Sequence, residues 1–295
     1  MTGSGKQTDP YIIMNYADLC NVKGGSTSYF KLGADIDLSQ TDRSPSAGAI
    51  YMTCKDFDGD GHTISNFFGR MDSSSSYNAV FSMPASIVTT LRNVNFSGIY
   101  LAGGITGLID RSGTNTEINI INCRISAKIN DTQNSATTIT PFFQKTVLTD
   151  SEVLIEGTSD YTKQITSKSA SGCLIKLNLT FFNKDSASER LILGGTTTCC
   201  GITGKITSPD VSGANYKLTE NTTSNSYFAL NFDNISSFSM NSNLTGVNFY
   251  DKEVMSNTVE LMPSAVNLYA LTTEQCKSAE YLQSIDFPCV SGDLV

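Results

Sequence analysis

Cys54-Lys55-Asp56-Phe57-Asp58-Gly59-Asp60-Gly61-His62-Thr63-Ile64-Ser65-Asn66-Phe67 is the stretch whose reading decides the fold. It reads as the end of a short strand, a tight corner and a second short strand. Asp-Gly is a turn dipeptide, because glycine enters positive φ without steric cost and aspartate hydrogen-bonds its own backbone. Two such pairs, Asp58-Gly59 and Asp60-Gly61, make the corner sharp. Thr63, Ile64 and Phe67 then suit a half-buried strand.

Working outward, corner-and-strand units recur. Leu91-Arg92-Asn93-Val94-Asn95-Phe96-Ser97-Gly98 resembles Ile120-Ile121-Asn122-Cys123-Arg124-Ile125-Ser126-Ala127. Looser copies end at Gly157, Gly204 and Gly246. The corner residues Gly98, Ala127, Gly157, Gly204 and Gly246 are separated by 29, 30, 47 and 42 residues. The first two separations are single periods. The last two are each two shorter periods, with Lys176–Thr180 and Tyr227–Phe232 as the intermediate strands. A period of about 20–30 residues holding only short strands is the mark of a β-solenoid. One coil cannot bury its apolar face alone, whereas stacked coils share a core. Asn93, Asn122 and Asn178 are placed to form hydrogen-bonded ladders between coils. The competing architecture is a sandwich, whose strands recur every 8–12 residues or so.

The flanks fit a stack with covered ends. Tyr11-Ile12-Ile13-Met14 is a short strand. Asn15 is an N-cap for a helix from Tyr16 to Val22, placed to cover the first open edge. At the other end Thr272-Thr273-Glu274-Gln275 forms a capping box, predicting a helix over 273–284 with Cys276, Ala279, Leu282 and Ile285 on one face. Ala102–Ile109 is glycine-rich, with a weaker relative at Asn78–Met83. It lacks the Lys-Ser/Thr end of a phosphate loop, so it reads as close coil packing at a bend. Thr41–Ala49, Asn130–Thr140 and Thr207–Ser226 are polar and predict loops. The expected organisation is residues 1–28 as N-terminal strand and capping helix, 29–250 as β-helix, and 251–295 as C-terminal edge and helix.

The 295 residues carry a net charge of −8 and only 16% charged side chains. No Lys/Arg cluster provides the basic footprint of a nucleic-acid binder. No apolar run approaches the roughly 18 residues of a membrane span. Met1–Lys6 lacks a signal pattern, so the expectation is a chain made in a cytosol. The cysteines (Cys20, Cys54, Cys123, Cys173, Cys199, Cys200, Cys276, Cys289) include no C-x-x-C pair, which argues against zinc. They read as small buried hydrophobes, with disulfides the alternative if the protein is exported. Cys199 and Cys200 would point to opposite faces of one strand.

Thr8–Ile13, Tyr29–Leu38 and Phe57–Asn66 resemble the opening of right-handed parallel β-helix proteins with GLUG-type repeats, and Leu271–Pro288 is similar to the end of such chains. These are bacterial surface and adhesin-like proteins, with related coils in phage fibres and tailspikes. The fold class expected is therefore all-β: a right-handed parallel β-helix with a short N-terminal capping helix and a C-terminal helix. The resemblance implies a non-enzymatic structural or adhesive protein, foremost a phage virion surface component (spike, fibre or decoration) made in the host cytoplasm. It implies a homotrimer, other virion proteins as partners and a host cell-surface glycan as target. A bacterial cell-surface adhesin fragment and a polysaccharide-degrading tailspike are the alternatives.

Residues that could carry chemistry are few. Asp56, Asp58, Asp60 and Gly61 match the first half of an EF-hand loop, but its twelfth position is Phe67, where a bidentate carboxylate is required. They read as turn formers. His62, the sole histidine, sits at a turn-to-strand junction and reads as structural rather than as a triad member. Glu152 and Glu156 lie four apart on one strand face, a spacing compatible with an inverting glycosidase pair. Strand-face carboxylates are, however, usually just solvated. With no tryptophan, Tyr100, Tyr161, Tyr216 and Tyr227 are the residues left to stack on sugars. The sequons at Asn95 and Asn243 are expected to be unglycosylated without a signal peptide. No catalytic, metal or cofactor-binding residue is assigned.

Overall fold

The computed structural model describes residues 1–40, 50–71, 79–83, 88–103, 107–110, 117–131, 142–143, 145–159, 165, 168–182, 190–209, 215–219, 221–233, 237–239, 243–257 and 267–288. They form two compact units, Met1–Glu152 and Val153–Val295. Each is a stack of coils in parallel β-helix architecture.

In the N-terminal unit every coil lays a strand on a first sheet, in the order Tyr11–Ile13, Tyr29–Leu32, Asp56–Asp58, Thr89–Arg92, Ile118–Ile121 and Thr146–Thr149. All pairs are parallel and in register: Tyr11 opposite Phe30, Phe30 opposite Phe57, Phe57 opposite Leu91, Leu91 opposite Ile120, Ile120 opposite Leu148. The second sheet runs Ile36–Asp37, Thr63–Ser65, Asn95–Gly103, Arg124–Asp131, with Phe68–Met71 also pairing with Asn95–Gly103. A third, shorter sheet holds Ile50–Tyr51, Ala79–Ser82 and Gly107–Asp110. Strands of period two put alternate residues inward. Phe30, Phe57, Leu91, Ile120 and Leu148 form one fully buried column, and Ile36, Ile64, Phe96 and Ile125 another. The two glycine-rich relatives noted in the sequence do stack, with Gly107 opposite Ala79 and Ile109 opposite Phe81.

In the C-terminal unit the first sheet is Ser169–Ser171, Thr196–Thr198, Thr223–Ser224, Leu244–Thr245, and the third is Arg190–Leu193, Asn215–Thr219, Ser237–Ser239. The second sheet includes Leu174–Phe181, Gly201–Thr207, Tyr227–Asp233, Asn248–Asp251 and Leu268–Leu271. Its inner column is Ile175, Ile202, Phe228, Tyr250. The 47- and 42-residue gaps do contain extra coils, since Leu177 faces Gly204 and Gly204 faces Leu230.

The corner between first and second sheets is left-handed in coil after coil. Asn93, Asn122 and Asp150 have φ of 54°, 50° and 46° in the N-terminal unit, and Cys199 and Asn225 both have 51° in the C-terminal unit. Asparagine and aspartate tolerate this region because their side chains hydrogen-bond locally. The next residue faces inward and is small: Val94, Cys123 and Ser151, then Cys173, Cys200 and Ser226, all buried. Each thiol or hydroxyl in this position donates to the carbonyl two residues back, as in Ser151 Oγ to Thr149 O (2.8 Å) and Cys200 Sγ to Thr198 O (3.2 Å). Serine and cysteine are thus equivalent here, which accounts for three of the scattered cysteines.

Several expectations are corrected. Gly98, Ala127, Gly157 and Gly204, expected at corners, lie within strands of the second sheet, so Gly246 is not their counterpart. A Cβ on it would sit 2.2 Å from Asn225 Oδ1, so it belongs to the preceding corner. Gly59 provides space rather than positive φ, since a Cβ there would meet Asn93 O at 2.3 Å, while Asp60 and Gly61 take the positive φ. Thr207–Ser226 is not wholly loop, for Tyr216 and Leu218 are buried in a strand. Thr41–Ala49 and most of Asn130–Thr140 lie outside the described residues.

The N-terminal helix is Tyr16–Leu19, with Asn15 Oδ1 accepting from Asp18 N–H at 3.0 Å. The expected single C-terminal helix is two, Thr273–Cys276 and Ala279–Ser284. The Thr272–Gln275 capping box forms as read, but Ser278 caps a second start by accepting from Tyr281 N–H. Leu271, Cys276, Leu282 and Phe287 pack with Phe249 and with the half-buried Tyr227, so an apolar patch on the outer side of the second sheet is covered.

Candidate functional site

Lys31, Asp58 and Arg92 stand opposite one another in successive strands of the first sheet, with side chains outward. Parallel in-register pairing brings unlike charges about 4.8 Å apart, within easy reach. Arg92 Nη1 lies 2.8 Å from Asp58 Oδ2, and its Nε reaches both oxygens of Asp56 at 3.1 Å. Asp58 Oδ1 also accepts from Asn93 Nδ2 (2.9 Å) and Asp60 N–H (3.0 Å), and Lys31 Nζ holds Asp60 at 2.8 Å. The ladder continues from Asn122 Nδ2 to Asn93 Oδ1 at 2.8 Å. The hydrogen bond from Lys31 keeps the Asp60 carboxyl below its ordinary value. All three aspartates of the partial EF-hand pattern are therefore engaged in joining coils. Among the described residues no group of three His, Cys, Asp or Glu side chains is arranged for a metal ion.

His62 Nδ1 is 3.0 Å from Asp35 Oδ1, which also accepts from Thr63 N–H at 2.9 Å. That N–H, and then the imidazole, lower the Asp35 pKa. The histidine braces one coil against the preceding one. Glu152 pairs with Arg124 at 2.6 Å, with both side chains largely exposed. Glu156 accepts from Asn178 Nδ2 at 3.0 Å and is also exposed. A glycosidase general acid works from an environment that disfavours its charged form. These two carboxylates are solvated and tied to neighbouring coils. Asn178 makes its expected inter-coil bond from mid-strand.

Cys54, Cys123, Cys173, Cys200 and Cys276 are buried free thiols, as expected, and Cys20 is a half-buried one. Burial pushes Cys54 up to about 12 and Cys123 to about 11. Cys200 is raised first by its contact with Cys173 and then by burial. None of these three is a ready thiolate nucleophile. Cys199 departs from the expectation: it is disulfide-bonded, and it occupies the left-handed corner instead of a strand. Cys289 lies outside the described residues.

The tyrosines separate. Tyr161 lies outside the described residues. Tyr216 is 1% exposed, between Phe181 and Phe232. Tyr227 packs at a tilt against Phe249 under the C-terminal helices, and burial raises its pKa. Of the three candidates within the described residues, Tyr100 is the one on the outer surface. Its ring stacks on Phe68, centroids 5.3 Å apart and planes 10° from parallel, and its hydroxyl accepts from Asn130 Nδ2 at 3.1 Å. Phe68 is 46% exposed. Sequence reasoning missed it. The available signal was the repeated apolar-aromatic pair after the corner, Phe67-Phe68 and Ile99-Tyr100, which stack directly. Asn95 and Asn243 of the sequons donate to Gly61 O and Thr222 Oγ1 respectively.

No family model and no curated protein matches the chain. A solved structure from Bacteroides ovatus, described as "a putative immunoglobulin A1 protease", is similar with a TM-score of 0.47 and 19% identity, over 96% of this chain and 88% of that one.

Proposed function

We propose that this chain is a structural and adhesive parallel β-helix, acting on the surface of a phage virion as a spike, fibre or decoration that attaches to a host. The observation that carries the adhesive reading is the use made of its polar side chains. Asp56, Asp58, Asp60, His62, Glu152 and Glu156 all bind a neighbouring coil, while the exposed aromatic stack of Phe68 and Tyr100 is left to face a partner. A rigid ladder with outward side chains at fixed spacing suits repeated contact with an extended surface. The virion setting and a trimeric state rest on the resemblance to phage spikes and fibres. The test is adhesion of the labelled protein to bacterial host cells, together with its mass in solution by light scattering. Binding by a trimer is the expected result, and a monomer that adheres to no host overturns the reading.

One observation favours a bacterial cell-surface adhesin instead. A disulfide at Cys199 suits an oxidising compartment better than a cytosol. The mass of the native, unreduced protein after thiol alkylation separates the two, since a virion protein assembled in cytosol would have Cys199 alkylated.

A further inference from the structure

We infer that Phe68, Tyr100 and Lys128 form a subsite for an acidic pyranoside glycan, an inference that rests on the adhesive reading and gives it a ligand class. The three residues are neighbours in successive strands of the second sheet, Phe68 opposite Tyr100 and Tyr100 opposite Lys128. All three side chains point outward, because the intervening Ile99 and Leu101 are buried. The first two are locked as a flat stack, and the Tyr100 hydroxyl is oriented by Asn130.

Aromatic rings on a surface offer a rigid apolar face with a polar rim at little entropic cost. A pyranose presents the complement, a patch of C–H groups ringed by hydroxyls. The cation gives the second half of the argument. Lys31, Arg92, Arg124 and Lys205 each pair with a carboxylate. Among the described residues Lys128 pairs with none, and it is exposed one strand beyond the ring of Tyr100. On a chain with net charge −8, an ammonium held in no ion pair beside an aromatic platform selects for a carboxylate on the ligand. Strand spacing of about 4.8 Å carries such a ligand from ring to cation along the ladder.

The experiment uses the whole chain with oligosaccharides of polygalacturonate, alginate and hyaluronan, and with carboxyl-reduced versions of each. Calorimetry is paired with tyrosine emission, which tryptophan does not mask because the chain has none. An acidic oligosaccharide is expected to bind, and its reduced version to bind about tenfold more weakly. Phe68→Leu, which keeps an apolar side chain but removes the flat ring, is expected to weaken binding about tenfold. Lys128→Gln is expected to abolish the preference for the acidic form, and Lys128→Arg to keep it. Equal affinity for the reduced forms overturns the acidic class. Undiminished binding by Phe68→Leu overturns the site. If the wild-type chain binds no glycan yet still adheres to host cells, the subsite falls while the adhesive reading stands.

Discussion

Among the described residues of the unit Met1–Glu152, ion pairs join the outward side chains of neighbouring coils at Lys31 with Asp60, Arg92 with Asp56 and Asp58, and Arg124 with Glu152, beside amide contacts such as Asn122 to Asn93. In the unit Val153–Val295 hydroxyls and amides take a larger share. Ser224 donates to Thr198, Asn243 to Thr222 and Asn178 to Glu156, with Lys205 and Asp233 as an ion pair. The inner column of the second sheet is apolar in both units, whereas that of the first sheet changes from Phe30, Phe57, Leu91, Ile120 and Leu148 to Ala170, Thr197, Thr223 and Leu244. Register is thus fixed by the core and by backbone pairing, and the outer face is free to change its chemistry. What differs is the sensitivity of each unit to salt and acid.

The common element, backbone stacking, should give the largest effects, and glycines probe it. Gly195 has φ +77°, and a Cβ there would lie 1.7 Å from the carbonyl oxygen of Lys168, which accepts the Thr196 N–H. Gly61 has φ +83° but open space around the same position. Gly195→Ala is expected to cost about 4 kcal/mol, since the strands must part, and Gly61→Ala about 1–2 kcal/mol from backbone strain alone. Urea unfolding followed by tyrosine emission checks this. Similar midpoints for the two variants would mean that coil-to-coil approach is not the limiting constraint.

Electrostatics comes next and sharpens the difference between units. Arg92→Met leaves Asp56 and Asp58, both mostly buried, without their shared cation. The guanidinium is 40% exposed, so solvent screening limits the expected cost to about 1–2 kcal/mol. Acid acts on the same unit. Asp18, Asp35, Asp37 and Asp60 are all held below the ordinary 3.8, mainly by hydrogen bonds from Met14 N–H, Thr63 N–H, Asn66 and Lys31 respectively. A carboxyl whose folded pKa is depressed stabilises the fold above its unfolded value, and that contribution is lost as pH falls through the folded value. The N-terminal unit is therefore expected to open first below about pH 4. Pepsin digestion at pH 3.5 with mass mapping of the first fragments tests it, and initial cuts within Val153–Val295 would refute it.

Legibility in the sequence followed the strength of the local signal. The solenoid was readable because stretches such as 91–97 and 120–126 alternate and recur at one period, whereas the corner itself, at Asn93 and Asn122, was read as lying at Gly98 and Ala127. Gly246 was misplaced because Thr245-Gly246 and Thr203-Gly204 look alike, although Gly246 sits at a corner and Gly204 within a strand. The strand at Asn215–Thr219 was hidden because only Tyr216 and Leu218 carry its inward face within a polar run. The split of the last helix depended on Ser278 acting as a cap, which is decided by competition within the folded chain. The role of Cys123, Cys173 and Cys200 shows only once coils are stacked and Ser151 and Ser226 prove to occupy the same position. Phe68 carries no signal of its own until Tyr100 is seen to share its outward column.

The smallest expected effect reverses sign between the units. Thr89, Thr197 and Thr223 are all inward-facing threonines of the first sheet, at most 1% exposed. In the N-terminal unit Thr89 Oγ1 donates to the Cys54 carbonyl at 2.8 Å. In the C-terminal unit Thr197 and Thr223 lie opposite one another, and among the described residues neither hydroxyl has a hydrogen-bond partner. Valine has nearly the same shape and no polar atom. Thr89→Val removes a made bond and strands a buried carbonyl, so it should cost about 1 kcal/mol. Thr197→Val and Thr223→Val each remove an unpaired buried hydroxyl, so each should be neutral or stabilise by up to about 1 kcal/mol. A loss of stability in the second pair as large as in the first would show that the C-terminal unit satisfies these hydroxyls through a buried water. The two units would then share one rule for interior polar groups.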